Sequence, residues 1–248
     1  MTENNTNSTY QVPDSSTVNL SWKRYLLPSI HKEGLKIFAV AAVILLTLSL
    51  VIPCFFPIAL ALLAFVFYFF RNPVRVTPEG DNLIISPADG IVSNIKYVVP
   101  AKEMGLGDEP LLRVSIFMSV FNVHVNRAPT SGMVDALTYR PGKFVNIADK
   151  DSEDNERQEI TIKREDGTKI GFIQIAGLVA RRIYCPLKVG EMVKKGSVFG
   201  MIRFGSRLDV FLPKGVYPKV LPGQTMVAGE TVLANLTSNA PRVDGEVR

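Results

Sequence analysis

From Ile37 to Phe70 the chain carries no charged residue, a run of about 34 positions closed by Lys36 and Arg71. An apolar stretch of that length predicts a membrane segment. As one straight helix it would extend about 51 Å, against a hydrocarbon core of about 30 Å. Pro53 and Pro57 fall near its middle, where each removes a helix hydrogen bond and bends the chain. Two short helices, about Ile37 to Ile52 and Pro57 to Phe70, folded as a hairpin, fit better than one. Limbs of that length either span a bilayer thinly or re-enter it. After Pro73 the pattern changes to short β-type runs punctuated by Gly, Pro and Asp. It predicts strands over Asn82 to Ser86, Ile91 to Val99, Leu111 to Val120, Ile160 to Lys163, Lys169 to Ala176, Val179 to Tyr184, Ser197 to Arg203, Leu208 to Leu212 and Thr231 to Leu236. No helical period of 12 or more residues stands out downstream of Phe70.

The pattern divides the chain into a polar tail with a basic lead-in (1–31), a membrane hairpin (32–72) and a β-rich domain (73–248). The tail from Met1 to Asn19 is rich in Asn, Ser and Thr and has no Lys or Arg, so it cannot bury enough apolar surface to order itself. Its Asn-x-Ser/Thr triplets, such as Asn7-Ser8-Thr9, are read as compositional. The segment Lys143 to Gln158 is charged and reads as a surface loop, with a lid over a site as the alternative. Leu187 to Gly200, with glycine-closed turns between apolar pairs, resembles the hammerhead-like half of biotinyl and lipoyl carrier domains. The carriers' modified lysine tip is missing, so this likeness reaches only to the fold, a β-sandwich-like hybrid motif.

Composition narrows the possibilities. With 47% hydrophobic residues in 248 the chain can build a core. Its net charge of +5 is spread thinly, which suits an anionic membrane surface better than nucleic acid. Lys23, Arg24, Lys32 and Lys36 precede the apolar run and Arg71 and Arg75 follow it, so the positive-inside rule places both ends in the cytoplasm. A signal peptide would need a shorter apolar core nearer the N-terminus and a small-residue cleavage site. Two cysteines, Cys54 and Cys185, make no disulfide framework, and two histidines, His31 and His124, make no histidine-rich metal site.

Three stretches carry candidate chemistry: Ser86-Pro87-Ala88-Asp89-Gly90, Phe121-Asn122-Val123-His124-Val125-Asn126-Arg127-Ala128-Pro129, and Arg203-Phe204-Gly205-Ser206. Taken singly, each has an ordinary explanation: a hairpin turn at Asp89-Gly90, a strand histidine against the core, a tight turn at Gly205-Ser206. Together they offer an orienting carboxylate, a base and a nucleophile at strand ends, the logic of triad chemistry. Gly205 adds a second possibility. With no Cβ it allows a strained backbone and lets the Ser206 hydroxyl approach the carbonyl before it.

These three stretches, in this order behind an apolar run ending Phe70-Arg71-Asn72-Pro73, resemble the short form of the phosphatidylserine decarboxylase proenzymes, over about Lys32 to Leu236. The resemblance implies a self-processing, pyruvoyl-dependent lyase of phospholipid biosynthesis. Ser206 would attack the Gly205 carbonyl, with His124 as base and Asp89 as its orienter. Cleavage would leave chains 1–205 and 206–248 as a heterodimer, the shorter headed by a pyruvoyl group made from Ser206. That group would form a Schiff base with the serine headgroup of phosphatidylserine and accept electrons as CO2 leaves, releasing phosphatidylethanolamine without an external cofactor or metal. His124 would then supply a proton to the product.

Two departures from the family's long forms qualify the carry-over. Their Leu-Gly-Ser-Thr is here Phe204-Gly205-Ser206-Arg207, as in the short form, and their second histidine, three residues after the first, is here Arg127. His124 then serves both steps, or another group assists. Arg127 is a candidate for the lipid phosphate, with a solvated strand-end arginine as the plain alternative. Two rivals remain. A Ser-His-Asp hydrolase predicts a Gly-x-Ser-x-Gly frame, absent around Ser206, and an intact chain. A tethered, non-catalytic adaptor leaves the joint presence of the three stretches unexplained.

Overall fold

A computed structural model describes residues 28–142, 155–177, 182–203 and 205–238. The tail 1–19, Lys23 and Arg24, most of the charged loop from Lys143, the start of the strand expected from Val179, and Phe204 lie outside the described residues. In chain order the elements are β1 (Ser29–Ile30), α1 (Lys32–Val51), α2 (Phe56–Phe69), β2 (Arg71–Asn72), β3 (Leu83–Ile85), β4 (Gly90–Val98), β5 (Leu111–Met118), β6 (Val125–Arg127), β7 (Gly132–Arg140), β8 (Arg157–Lys163), β9 (Lys169–Ala176), β10 (Arg182–Tyr184), β11 (Met192–Val193), β12 (Val198–Arg203), β13 (Ser206–Leu212), β14 (Thr225–Met226) and β15 (Val232–Asn235).

The apolar run forms two helices, as the prolines require, joined by a short 3-10 turn at Pro53–Phe55. The first begins at Lys32, earlier than its apolar pattern. His31 caps it, its Nδ1 accepting from the Glu33 N–H at 3.3 Å, and Glu33 places negative charge in the first turn. Phe38 meets Phe67 edge to face, with centroids 6.4 Å apart. At the open end β1 pairs antiparallel with β2, Ser29 opposite Asn72, and the His31 N–H donates to the Phe70 carbonyl at 2.9 Å. A Cβ at Gly34 would overlap Phe70, so glycine sets the closeness of the two limbs here. Lys32–Val51 is long and apolar enough to cross a membrane; Pro53–Phe69 is apolar but shorter.

The rest is mostly β. Eight antiparallel strands form one sheet in the order β11-β7-β8-β9-β13-β5-β4-β14, beside a three-stranded sheet β10-β12-β6 and a pair β15-β3. The largest core cluster joins Ile116, Phe172, Leu208 and Val210 of the large sheet to Phe199 of β12 and Ile84 and Leu233 of the small pair. One face of the large sheet is thus packed against the smaller sheets. On its other face Phe211 packs with Met104, Ile173 and Ile175. Every residue of β13 is buried. Asp209 on that strand is wholly buried and paired with Arg207 at 2.9 Å and Arg113 at 3.5 Å.

Candidate active site

The chain passes from β12, in the three-stranded sheet, to β13, near the middle of the large sheet, through residues 204 and 205. Gly205 stands at φ +53°, in the left-handed region where a side chain is disfavoured. Ser206 then opens β13, hydrogen-bonded in register to Met118 of β5 on one side and Ala176 of β9 on the other. The serine is wholly buried, and its Oγ donates to Met118 Sδ at 3.3 Å. A thioether is a weak acceptor, so the hydroxyl is held but lightly.

His124 is brought to the same strand end. β6 pairs with β12, Val125 opposite Met201, and the Ile202 N–H donates to the His124 carbonyl at 3.4 Å, a few residues before the Gly205-Ser206 bond. The imidazole is wholly buried and stacks on Phe69, the last residue of α2, with centroids 4.1 Å apart. Nδ1 lies 3.0 Å from the Asn122 carbonyl, a pure acceptor, which makes Nδ1 the protonated nitrogen. Nε2 keeps its lone pair and, though buried, has no hydrogen-bond partner among the described residues. Burial, only partly offset by the Asn122 carbonyl and reinforced by the Arg71 charge, pushes the His124 pKa down to about 4. The site therefore holds a neutral imidazole at physiological pH.

That depression has a consequence for stability. In the unfolded chain the imidazole protonates near 6.5, in the folded chain near 4, so between these values the unfolded chain binds more protons. Stability is therefore expected to fall as pH drops from about 6.5 toward 4, by about 3 kcal/mol through this group. Denaturation midpoints from pH 7 to 4 should show the decline, and it should be shallower in His124→Gln.

The carboxylate expected to orient His124 does not do so in this structure. Both oxygens of Asp89 receive Arg75, at 2.7 and 3.0 Å, and one also accepts from the Ala228 N–H at 2.7 Å. The physical reason is local: the guanidinium saturates the carboxylate, and the buried imidazole N–H is met by the carbonyl two residues before it. Burial raises the Asp89 pKa, with Arg75 and the Ala228 N–H opposing. Asp89 nevertheless lies at the same end of the molecule, within electrostatic reach of Arg71, as His124 is.

Arg127 is likewise occupied. It donates to the Gly196 carbonyl at 2.9 Å, to Asn72 Oδ1 at 2.8 Å and to the Pro73 carbonyl at 3.0 Å. It clasps the foot of the helices to the β-domain. Arg71 bridges the same junction, donating to the Tyr68 carbonyl at 2.6 Å and the Phe121 carbonyl at 2.9 Å while stacking on the Tyr68 ring. Among the described residues no three His, Cys, Asp or Glu side chains gather where a metal could bind.

Sequence reasoning missed several neighbours of the reacting bond: Met118 under the serine hydroxyl, the Asn122 carbonyl, Phe69 over His124, and the buried amides Asn126 and Gln174. Asn126 alone carried a signal, two positions after His124 on a short strand. The others are apolar or backbone groups, or arrive from strands distant in sequence.

The family profile described as phosphatidylserine decarboxylase matches residues 62–234. A protein of Cereibacter sphaeroides named phosphatidylserine decarboxylase proenzyme is 54% identical over 220 residues, covering 88% of this chain and 95% of its own. One of the same name from Ruegeria pomeroyi is 54% identical over 211 residues, covering 85% and 96%. A third, from Paramagnetospirillum magneticum, is 55% identical over 182 residues, covering 73% and 76%.

Proposed function

The chain belongs to the phosphatidylserine decarboxylase family, and from that membership together with the geometry at Ser206 we propose that it is a self-processing proenzyme that removes CO2 from phosphatidylserine to leave phosphatidylethanolamine. The observation that carries this reading is the buried serine opening a central strand directly after a glycine at φ +53°, at the strand end that also holds a neutral histidine.

In processing, His124 Nε2 takes the hydroxyl proton and Ser206 Oγ adds to the Gly205 carbonyl. The Gly205–Ser206 peptide bond breaks, the proton passes to the freed amine, and an ester remains. Removal of the Ser206 α-proton expels the Gly205 carboxylate. One water then enters and one ammonia leaves, so that residue 206 becomes a pyruvoyl group. The surroundings fit such a group: Asn126 Nδ2, whose acceptor is the Met118 thioether at 3.8 Å, is a donor that a carbonyl oxygen could take up, and the new chain end stays between β5 and β9. The pyruvoyl carbonyl would serve as the electron sink for decarboxylation. Chains 1–205 and 206–248 remain together as a heterodimer, because β13 of the smaller is laddered on both sides to strands of the larger.

The protein's own residues do the rest. Phe69 covers His124 and keeps water from it, and Nε2 returns a proton to the substrate carbon that lost its carboxylate. Asp89 acts from one step back, fixing Arg75 and tempering the positive field that Arg71 casts on His124. Arg127 braces the helix foot. The two helices enter the bilayer as a hairpin from the cytoplasmic side, about 30 and 21 Å long at 1.5 Å per residue, with apolar side chains such as Val43, Leu50 and Ile58 facing outward. Tethering keeps the enzyme beside a substrate that stays in the membrane.

The reading is tested by incubating the purified protein with vesicles of carboxyl-labelled phosphatidylserine: labelled CO2 and phosphatidylethanolamine are expected, and release of serine or a fatty acid instead would favour the hydrolase. Gly205→Ala tests the backbone's part. Among the described residues, its chain neighbours aside, nothing lies within 4 Å of a Cβ built there, so the cost is that of the left-handed conformation, about 1–2 kcal/mol. Cleavage followed on gels should slow about tenfold, with folding retained.

A further inference from the structure

Met118 Sδ receives two donors at once, Ser206 Oγ at 3.3 Å and Asn126 Nδ2 at 3.8 Å. The serine hydroxyl and the asparagine amide thus meet at one sulfur atom, and neither is well satisfied there. Asn126 and Gln174 are both wholly buried. Gln174 Nε2 donates to Asn126 Oδ1 at 2.8 Å, which turns the Asn126 NH2 toward the sulfur. The reverse orientation would set two acceptors, Oδ1 and Sδ, against each other. Gln174 Oε1 itself has no partner among the described residues. A Cβ at Gly200, opposite Asn126 on β12, would first overlap the Tyr184 carbonyl and would also come within 3.1 Å of Gln174 Nε2. Two wholly buried amides with an underused donor and an orphaned acceptor cost stability, and such groups persist where chemistry uses them.

We propose that Asn126, oriented by Gln174, supplies the N–H that steadies the oxygen charge formed when Ser206 Oγ adds to the Gly205 carbonyl. The inference rests on the self-cleavage reading above. In that step the Oγ–C bond forms, the carbonyl π pair moves onto its oxygen and the hydroxyl proton goes to His124 Nε2. On collapse the pair returns, the C–N bond breaks and the proton passes to the Ser206 amine. Asn126 changes neither charge nor proton count; it lowers the barrier by donating to the charged oxygen in a site closed to water.

The test follows cleavage of freshly synthesised full-length chain over time from pH 5 to 8.5, in the parent, Asn126→Leu, Asn126→Asp and Gln174→Leu. The parent rate should be nearly flat with pH. Asn126→Leu should cleave about a hundredfold more slowly at every pH. Asn126→Asp should approach the parent at low pH, where the acid form donates, and fall as pH rises and the carboxylate repels the developing charge. Gln174→Leu, which frees Asn126 to turn, should be slowed less than Asn126→Leu. An Asn126→Leu chain cut at the parent rate overturns the proposal, and so does an Asn126→Asp chain slowed equally at all pH, since a merely structural role would give that. A parent that is never cut overturns the self-cleavage reading as well.

Discussion

Ser206→Ala is expected to yield one uncut chain of 248 residues with no release of CO2 from phosphatidylserine. The loss should be complete, because the substitution removes both the nucleophile of processing and the atoms from which the electron-accepting carbonyl is made. Folding should survive. The hydroxyl contributes one weak bond to a thioether, while the backbone of β13, which ties residues 206–212 to β5 and β9, is untouched. A melting midpoint within a few degrees of the uncut parent, beside zero turnover, would separate chemistry from stability. Cleavage in Ser206→Ala at the parent's position would place the nucleophile elsewhere.

His124→Gln is the second large effect. Glutamine retains an N–H for the Asn122 carbonyl and a flat amide to lie against Phe69, so the pocket keeps most of its contacts. What disappears is the lone pair of Nε2. General-base catalysis by a positioned imidazole accounts for about 10²–10⁴ in rate, and processing should slow by that factor. Any fraction that does mature should also turn over slowly, since the same nitrogen handles the proton in decarboxylation. Time courses of cleavage and of CO2 release per cut chain measure the two separately. Slow cleavage with normal turnover per cut chain would confine His124 to processing.

Much of this was legible in the sequence. The uncharged run from Ile37 and the prolines inside it gave two helices, because hydrophobicity and helix breaking are local properties. Gly205-Ser206 drew notice only together with the Asp89 and His124 stretches, since a glycine before a serine between two strands is by itself an ordinary turn; the left-handed Gly205 and the buried Ser206 appear only in the fold. Other features were hidden for physical reasons. Strand β7 escaped notice: a bulge between Val134 and Ala136 interrupts its period of two, and it has fewer of the β-branched and aromatic residues that marked β4 despite a similar bulge between Val92 and Asn94. The partner of Asp89 was not legible, since Arg75 competes for it from the linker after the helices, and only the folded junction shows that the guanidinium wins. Arg127 read as a candidate for the lipid phosphate, or else as a solvated strand-end arginine, but its guanidinium is occupied by Asn72, Pro73 and Gly196, contacts 54 to 69 residues away in sequence. The pairing of Asn126 with Gln174 depends on β6 and β9 approaching from different sheets, which no local pattern encodes.

The most direct test of the account is the intact mass of the purified, active protein under denaturing conditions. Two species are predicted, one of residues 1–205 and one of residues 206–248 whose first residue is a blocked pyruvoyl group rather than serine. A single full-length mass, in a preparation that still releases CO2 from phosphatidylserine, would contradict it.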